Sequence, residues 1–236
     1  MAKSHLKRLA APRTWAIARK DNVYIARPNP GAHKMLFGIS LSTAMTDMIN
    51  CAQTNREVKS ILHHKEILVD GVRRKDEKFM VGLMDTISIK EIGEYYRVIL
   101  SRKGKLTIVK IEQKEALIKP SRIINKTLLK KGLMQLNLID GRNMIVKDGK
   151  YNVGDTLMLS LPKQDIKEQL KLEKGMCAYL IGGKHMGEVG MIESIEGSKI
   201  RLKSGKTAYE TAKSYAFVVG REKPSITLNV QAEDNN

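Results

Sequence analysis

Apolar residues keep no regular period over residues 1–40, where Pro12, Pro28, Pro30 and Gly31 interrupt any long helix. From Leu41 the rhythm becomes helical. "STAMTDMINCA" sets Met45, Met48, Ile49 and Ala52 at the spacing of one buried face. "TNREVKSIL" then opens with Thr54 and carries Glu57 three residues on, a capping box that predicts a second short helix. Val58, Ile61 and Leu62 supply its apolar face, while Arg56 and Lys59 point elsewhere. "EILVDGVRR" reads as strand, Asp-Gly turn and strand, and "DTISI" alternates as a closing strand. Two short helices on a small sheet are expected over residues 41–92.

Beyond Ile92 the period shortens to that of strands. "YYRVILSRKGKLTIVKIE" predicts a hairpin with Gly104 at its tip, and "LMQLNLIDGRNMIV" a second one turning at Asp140–Gly141. "KYNVGDTLMLSLP" adds a strand after a Gly-Asp turn. Further on, Met176 to Ile181 and Gly187 to Ile195 read as strands on either side of a glycine turn, and "MIESIEGSKIRLKSG" continues as strands around Glu-Gly. The fold class expected is α+β and mostly β. Its segments are a basic arm over 1–40, the helical unit over 41–92, an antiparallel β domain over 93–170, and a small β-barrel with a tail over 171–236.

Charge changes this picture from a fold to a partner. Forty-two Lys and Arg against 25 Asp and Glu leave the 236-residue chain at +17, with a pI near 9.8. Such self-repulsion points to a polyanion as partner. The four segments carry +7, 0, +8 and +2, so the charge gathers in the arm and the middle of the chain. In the arm, Lys7, Arg8, Arg13, Arg19, Lys20, Arg27, His33 and Lys34 recur every few residues, with Trp15 and Tyr24 between them. Cations neutralise phosphates and release counterions, and an aromatic ring stacks on an unpaired base. The expectation is an arm that becomes ordered on nucleic acid. Arg102, Lys103 and Lys105 at the first hairpin tip extend the cationic surface. Between the hairpins, Lys119, Arg122, Lys126, Lys130 and Lys131 are read as loop cations.

Other chemistry is thin. Cys51 and Cys177 stand far apart, the five histidines have no chelating spacing, and neither a metal nor a cofactor is expected. No apolar run approaches the roughly 18–20 residues of a membrane helix, and no basic amphipathic helix or lipidation motif marks a membrane surface as partner. The basic start has no apolar segment behind it, so no secretory signal and a cytoplasmic location are expected. No small-molecule substrate is expected either.

The stretch "LIGGKHMGEVGMI" tests that last expectation. A P-loop needs G-x-x-x-x-G-K-[ST], yet His185 stands where the hydroxyl belongs and no glycine precedes at the required spacing. A dinucleotide fingerprint needs a following helix, and here strands follow. The pattern instead resembles the KOW motif, a β-barrel element whose glycine turn commonly lies on RNA. That resemblance would make Lys184 and His185 contact residues. Likewise "TNREVKSILHHKEILVDGVRR" resembles the S-four RNA-binding domain, which implies RNA-facing roles for Arg56, Lys59, His63, His64, Lys65, Arg73 and Arg74. Its first helix carries Asp47 and no cation, so a weaker grip than usual is expected.

Taken in order, "HLKRLAAPRTW", "RPNPGAHK", "GLMDTISI" and "AFVVGREKP" make the chain similar to the S-four-e type of small-subunit ribosomal protein of archaea and eukaryotes. Its short end, "NVQAEDNN", looks archaeal. The resemblance implies binding to ribosomal RNA of the small subunit beside neighbouring ribosomal proteins, a structural role, and no catalysis. Two alternatives stand beside it. One is an RNA-modifying enzyme with an S-four appendage, which needs a second domain of perhaps 150 residues or more. The other is a KOW-type transcription regulator.

Overall fold

In a computed structural model, residues 5–147, 149–205 and 207–228 are described, and "NVQAEDNN" lies outside them. The chain forms two compact units, residues 1–99 with 105–117 and residues 100–104 with 118–236. The α+β, mostly β expectation holds.

In the first unit, β1 (Gly38–Ser40) leads into α1 (Leu41–Thr43), which runs on as a π-helical turn over Ala44–Met48. The helix α2 (Asn55–His64) follows, then β2 (Ile67–Val69), β3 (Val72–Arg73), β4 (Met80–Gly82) and β5 (Thr86–Ile89). Strands β6 (Glu94–Leu100) and β7 (Leu106–Ile111) and the single turn α3 (Gln113–Ala116) complete it. The predicted cap is present: Thr54 Oγ1 accepts from the Glu57 amide, and Glu57 Oε2 accepts from the Gln53 amide at 2.8 Å. Val58 and Leu62 are fully buried on one side of α2. Asp70 and Gly71, both at positive φ, turn β2 into β3 as the Asp-Gly pair requires.

One placement differs from the expectation. The β6–β7 hairpin, expected with the strands that follow it, pairs with the strand before it, from Thr86↔Arg97 to Ile89↔Glu94. The sheet order is β3-β2-β5-β6-β7, with β1 and β4 paired apart. Gly93 at φ 71° closes the β5–β6 turn, and consecutive strands joined so tightly pair with each other. Arg97, without exposed surface, sits on that strand and is paired with Glu115.

The second unit holds two antiparallel sheets of five strands. The first contains β8 (Ile118–Leu128), β9 (Met134–Leu138), β10 (Asn143–Val146), β11 (Thr156–Ser160) and β12 (Ile166–Leu170), ordered β10-β9-β8-β11-β12. Ile123, Leu136, Leu138, Leu157 and Leu159 form its aliphatic core. The cations read as lying on loops here are partly inside a long strand. Lys119 is 1% exposed and meets Asp140 at 3.2 Å, and Arg122 donates to the carbonyls of Ser214 and Ala216. The second sheet contains β13 (Cys177–Leu180), β14 (Val189–Glu196), β15 (Lys199–Ser204), β16 (Thr207–Ala212) and β17 (Ala216–Gly220), ordered β16-β15-β14-β13-β17. One face closes over Ala178, Leu180, Ile192, Ile200, Leu202 and Ala216. Bulges in the β13–β17 and β14–β15 pairings add twist, which lets five short strands curl around so small a core.

Candidate nucleic-acid interface

On α2, Arg56, Lys59 and His63 follow one another at i, i+3 and i+7, so the helix presents them on one face, turned away from buried Val58 and Leu62. All three are exposed. Lys59 pairs with Glu77 at 3.3 Å, and Lys65, just past the helix, with Glu91 at 3.5 Å. An exposed pair such as Lys65–Glu91 is worth about 0–1 kcal/mol and holds its lysine weakly, whereas Glu77 is largely buried. Arg73 ties the β2–β3 hairpin to the helix end, donating to the carbonyls of His63 at 3.2 Å and Lys65 at 3.4 Å. His64 engages the Ser60 carbonyl at 2.8 Å, and Arg74 lies 4.3 Å from the centre of the Phe79 ring. Arg56 and His63 make no side-chain bond among the described residues. The structure therefore groups the S-four-like candidates around one helix and leaves two of them uncommitted.

The leading segment departs from the free arm expected of it. Trp15 is 1% exposed, donates from Nε1 to the Gly38 carbonyl at 3.0 Å, and bridges to Leu106 on β7. A ring so enclosed has no face for a base. Arg8 is buried against Asp47 and donates to the Ala18 carbonyl at 2.7 Å. Arg19 spends its guanidinium on the carbonyls of Ala11 and Pro12, at 2.9 and 2.8 Å. His33 is buried with Nε2 2.9 Å from Asp85, and Asp85 also accepts from the Gly82 amide at 2.8 Å. Trp15, Arg8 and His33 hold the segment on its own unit, and Arg19 braces it internally. Lys7, Arg13, Lys20 and Lys34 remain exposed, without side-chain partners among the described residues, and Arg27 is half-buried.

In the second unit the glycine loop between β13 and β14 lies against residues 100–104. Leu100 donates its amide to the Tyr179 hydroxyl at 2.8 Å, and that hydroxyl donates back to the Leu100 carbonyl at 2.6 Å. Gly187, at φ 81°, passes so close that a Cβ would stand 2.3 Å from the Ser101 carbonyl oxygen. Contact between the two segments brings Arg102 and Lys103 to the same region as Lys184 and His185. Arg102, Lys103 and Lys184 are exposed, as is Lys105 beyond the tip. His185 stacks on Tyr209 with ring centres 4.1 Å apart and lies 3.4 Å from Glu188. The Tyr209 hydroxyl is pushed up to about 12 by burial first and by Glu188 second, so it stays a neutral donor. Gly182 rests on the Tyr215 ring, where a Cβ would meet Cδ1 at 2.5 Å. Sequence spacing gives no sign of either tyrosine, because Tyr209 comes back to the loop from β16 and Tyr215 from the turn after it.

Among the described residues no helix is long and apolar enough to cross a membrane, and no group of three His, Cys, Asp or Glu could hold a metal ion.

Comparison with known proteins gives these surfaces a family. The model described as Ribosomal family S4e matches residues 92–166, and that of the RS4NT (NUC023) domain matches residues 2–36. The small ribosomal subunit protein eS4 of Methanocaldococcus jannaschii is 41% identical over 241 residues, covering 96% of this chain and 98% of the relative. This chain belongs to the S4e family. The eS4 protein of Methanosphaera stadtmanae is 38% identical over 233 residues, with 96% of each chain covered. The crystal structure of the 30S ribosomal protein S4e from Thermoplasma acidophilum aligns with a TM-score of 0.70 at 30% identity, covering 78% of this chain and 95% of that one. These S4e relatives are archaeal and ribosomal, and they lend no support to the RNA-modifying or transcription-regulator alternatives.

Proposed function

We propose that the chain is a structural constituent of the small ribosomal subunit that binds and stabilises folded ribosomal RNA, beside other ribosomal proteins. Its family, and not the lack of a visible catalytic site, sets it apart from enzymes. One observation carries the RNA-binding reading. Lys7, Arg13, Lys20, Lys34, Arg56, Arg102 and Lys184 stand exposed with no side-chain partner among the described residues, while Arg8 and Arg19 are turned inward. Cations left without acids suit phosphates, and recognition by such groups rests on RNA shape and 2′-hydroxyls rather than on a base code. The α2 face in one unit and the Arg102–Lys184 region in the other are the surfaces proposed to do this. Sedimentation of gently lysed cells tests the reading: the protein should travel with small subunits at moderate salt and leave them at high salt. A protein found free at moderate salt would refute it.

A further inference from the structure

The second unit contains an open cleft of about 980 Å3, which none of the expected contact residues lines. Its walls are the bulged middle of β8 (Arg122 to Ile124), Val153 and Gly154, the β14–β15 turn (Gly197 to Lys199), and the end of β16 with the turn after it (Glu210 to Ser214). Three cations, Arg122, Lys199 and Lys213, face one acid, Glu210, and Arg201 already holds that acid at 3.1 Å. The side chains of Lys199 and Lys213 make no bond among the described residues.

Arg122 is the unusual member. Its Nη1 donates to the Ser214 and Ala216 carbonyls at 2.6 and 2.8 Å, which fixes the guanidinium plane. Its Nε is buried without an acceptor, and Nη2 makes no bond among the described residues. Burial lowers its pKa, and no carboxylate opposes the shift. A half-buried guanidinium of this kind lacks an anion. Beside it Ile124 and Val153 remain 47% and 46% exposed, two large aliphatic groups left in water at the rim. A free phosphate or an acidic peptide would answer the charge and leave these side chains bare. A nucleotide answers both, because it joins a phosphate to a flat, weakly polar base. Stacked bases in a duplex are closed to a concave site, whereas a nucleotide splayed out of a loop or bulge fits it.

We propose that this cleft receives one unstacked nucleotide of the bound RNA, its phosphate at Arg122, Lys199 and Lys213 and its base against Ile124 and Val153. The proposal rests on the RNA-binding reading above and adds a defined site to it. The test is photo-crosslinking of the full chain to small-subunit ribosomal RNA carrying 4-thiouridine, with peptide mapping and parallel affinity measurements across salt. Peptides containing Ile124 or Val153 should carry cross-links. The double variant Lys199→Gln/Lys213→Gln, which touches no internal bond, should reduce those cross-links about tenfold. It should also make the log–log salt slope shallower by about 0.7, the share of one single-strand phosphate. Tight RNA binding without cross-links in the cleft, or with a slope the double variant leaves unchanged, would overturn the cleft proposal and leave the RNA-binding reading intact. Failure of the unaltered chain to bind the RNA would overturn both. A cleft cross-linked to a protein in whole subunits, and not to RNA, would also overturn the proposal and assign the cations to a protein acid.

Discussion

Gly187 holds a backbone that an L side chain enters only under strain, and it does so within contact distance of the Ser101 carbonyl. Gly187→Ala should therefore cost about 1–2 kcal/mol for the left-handed conformation, plus the displacement of backbone needed to seat the methyl. Denaturant unfolding of the variant measures this, and an unchanged midpoint would show that the loop does not rest on residues 100–104. Trp15 makes a similar demand on volume. Trp15→Ala should destabilise the chain by about 3–5 kcal/mol, while under folding conditions the salt slope of RNA binding stays as it was. A stable variant with a shallower slope would return Trp15 to the RNA surface. Residue type made Trp15, Arg8 and His33 candidates, because ring, guanidinium and imidazole all suit RNA. Their actual partners, Gly38, Asp47 and Asp85, lie 23, 39 and 52 residues away, and nothing in the local pattern announces them.

At the scale of elements, helix α2 was the most legible part of the chain, since its cap, apolar face and outward cations are all local features. Thr54→Ala should cost about 1 kcal/mol of stability, read from the unfolding midpoint. Glu57 adds a pH signature. The Gln53 amide, then the Thr54 hydroxyl, hold its carboxyl below the usual value. The stability it contributes is thus complete above the ordinary carboxylate pKa and is lost as pH falls through the lowered one. Glu57→Gln should flatten the acid side of the stability profile, and an identical profile would exclude the cap as its source. The β6–β7 hairpin was legible as a hairpin but not in its pairing, because alternation marks a strand without naming its neighbour. The leading segment was misjudged for a related reason. Pro, Gly and cations describe an arm well, but Trp15 seated at β7, Arg8 on Asp47 and His33 on Asp85 fold it down. Removing residues 1–34 would then remove part of a core, so substitutions at Lys7, Arg13, Lys20 and Lys34 are the cleaner way to ask what the segment binds.

Across the whole molecule, charge and fold class could be read from the sequence because both are sums over many residues and tolerate errors at single positions. Sites could not, since each depends on which distant groups meet. The cleft at Arg122 is the clearest case: a basic residue on a strand becomes a half-buried, unopposed cation only once β8 and the turn at Ser214 come together. The exposed cations left without side-chain partners among the described residues and the net charge of +17 make one collective claim, that the chain holds its RNA by many separate phosphate contacts. The affinity of the purified chain for small-subunit ribosomal RNA, measured across a salt series, tests it most directly. If several cations neutralise phosphates, log affinity falls linearly with log salt, by about 0.7–0.9 for each contact. An affinity that stays level over that series would contradict the account.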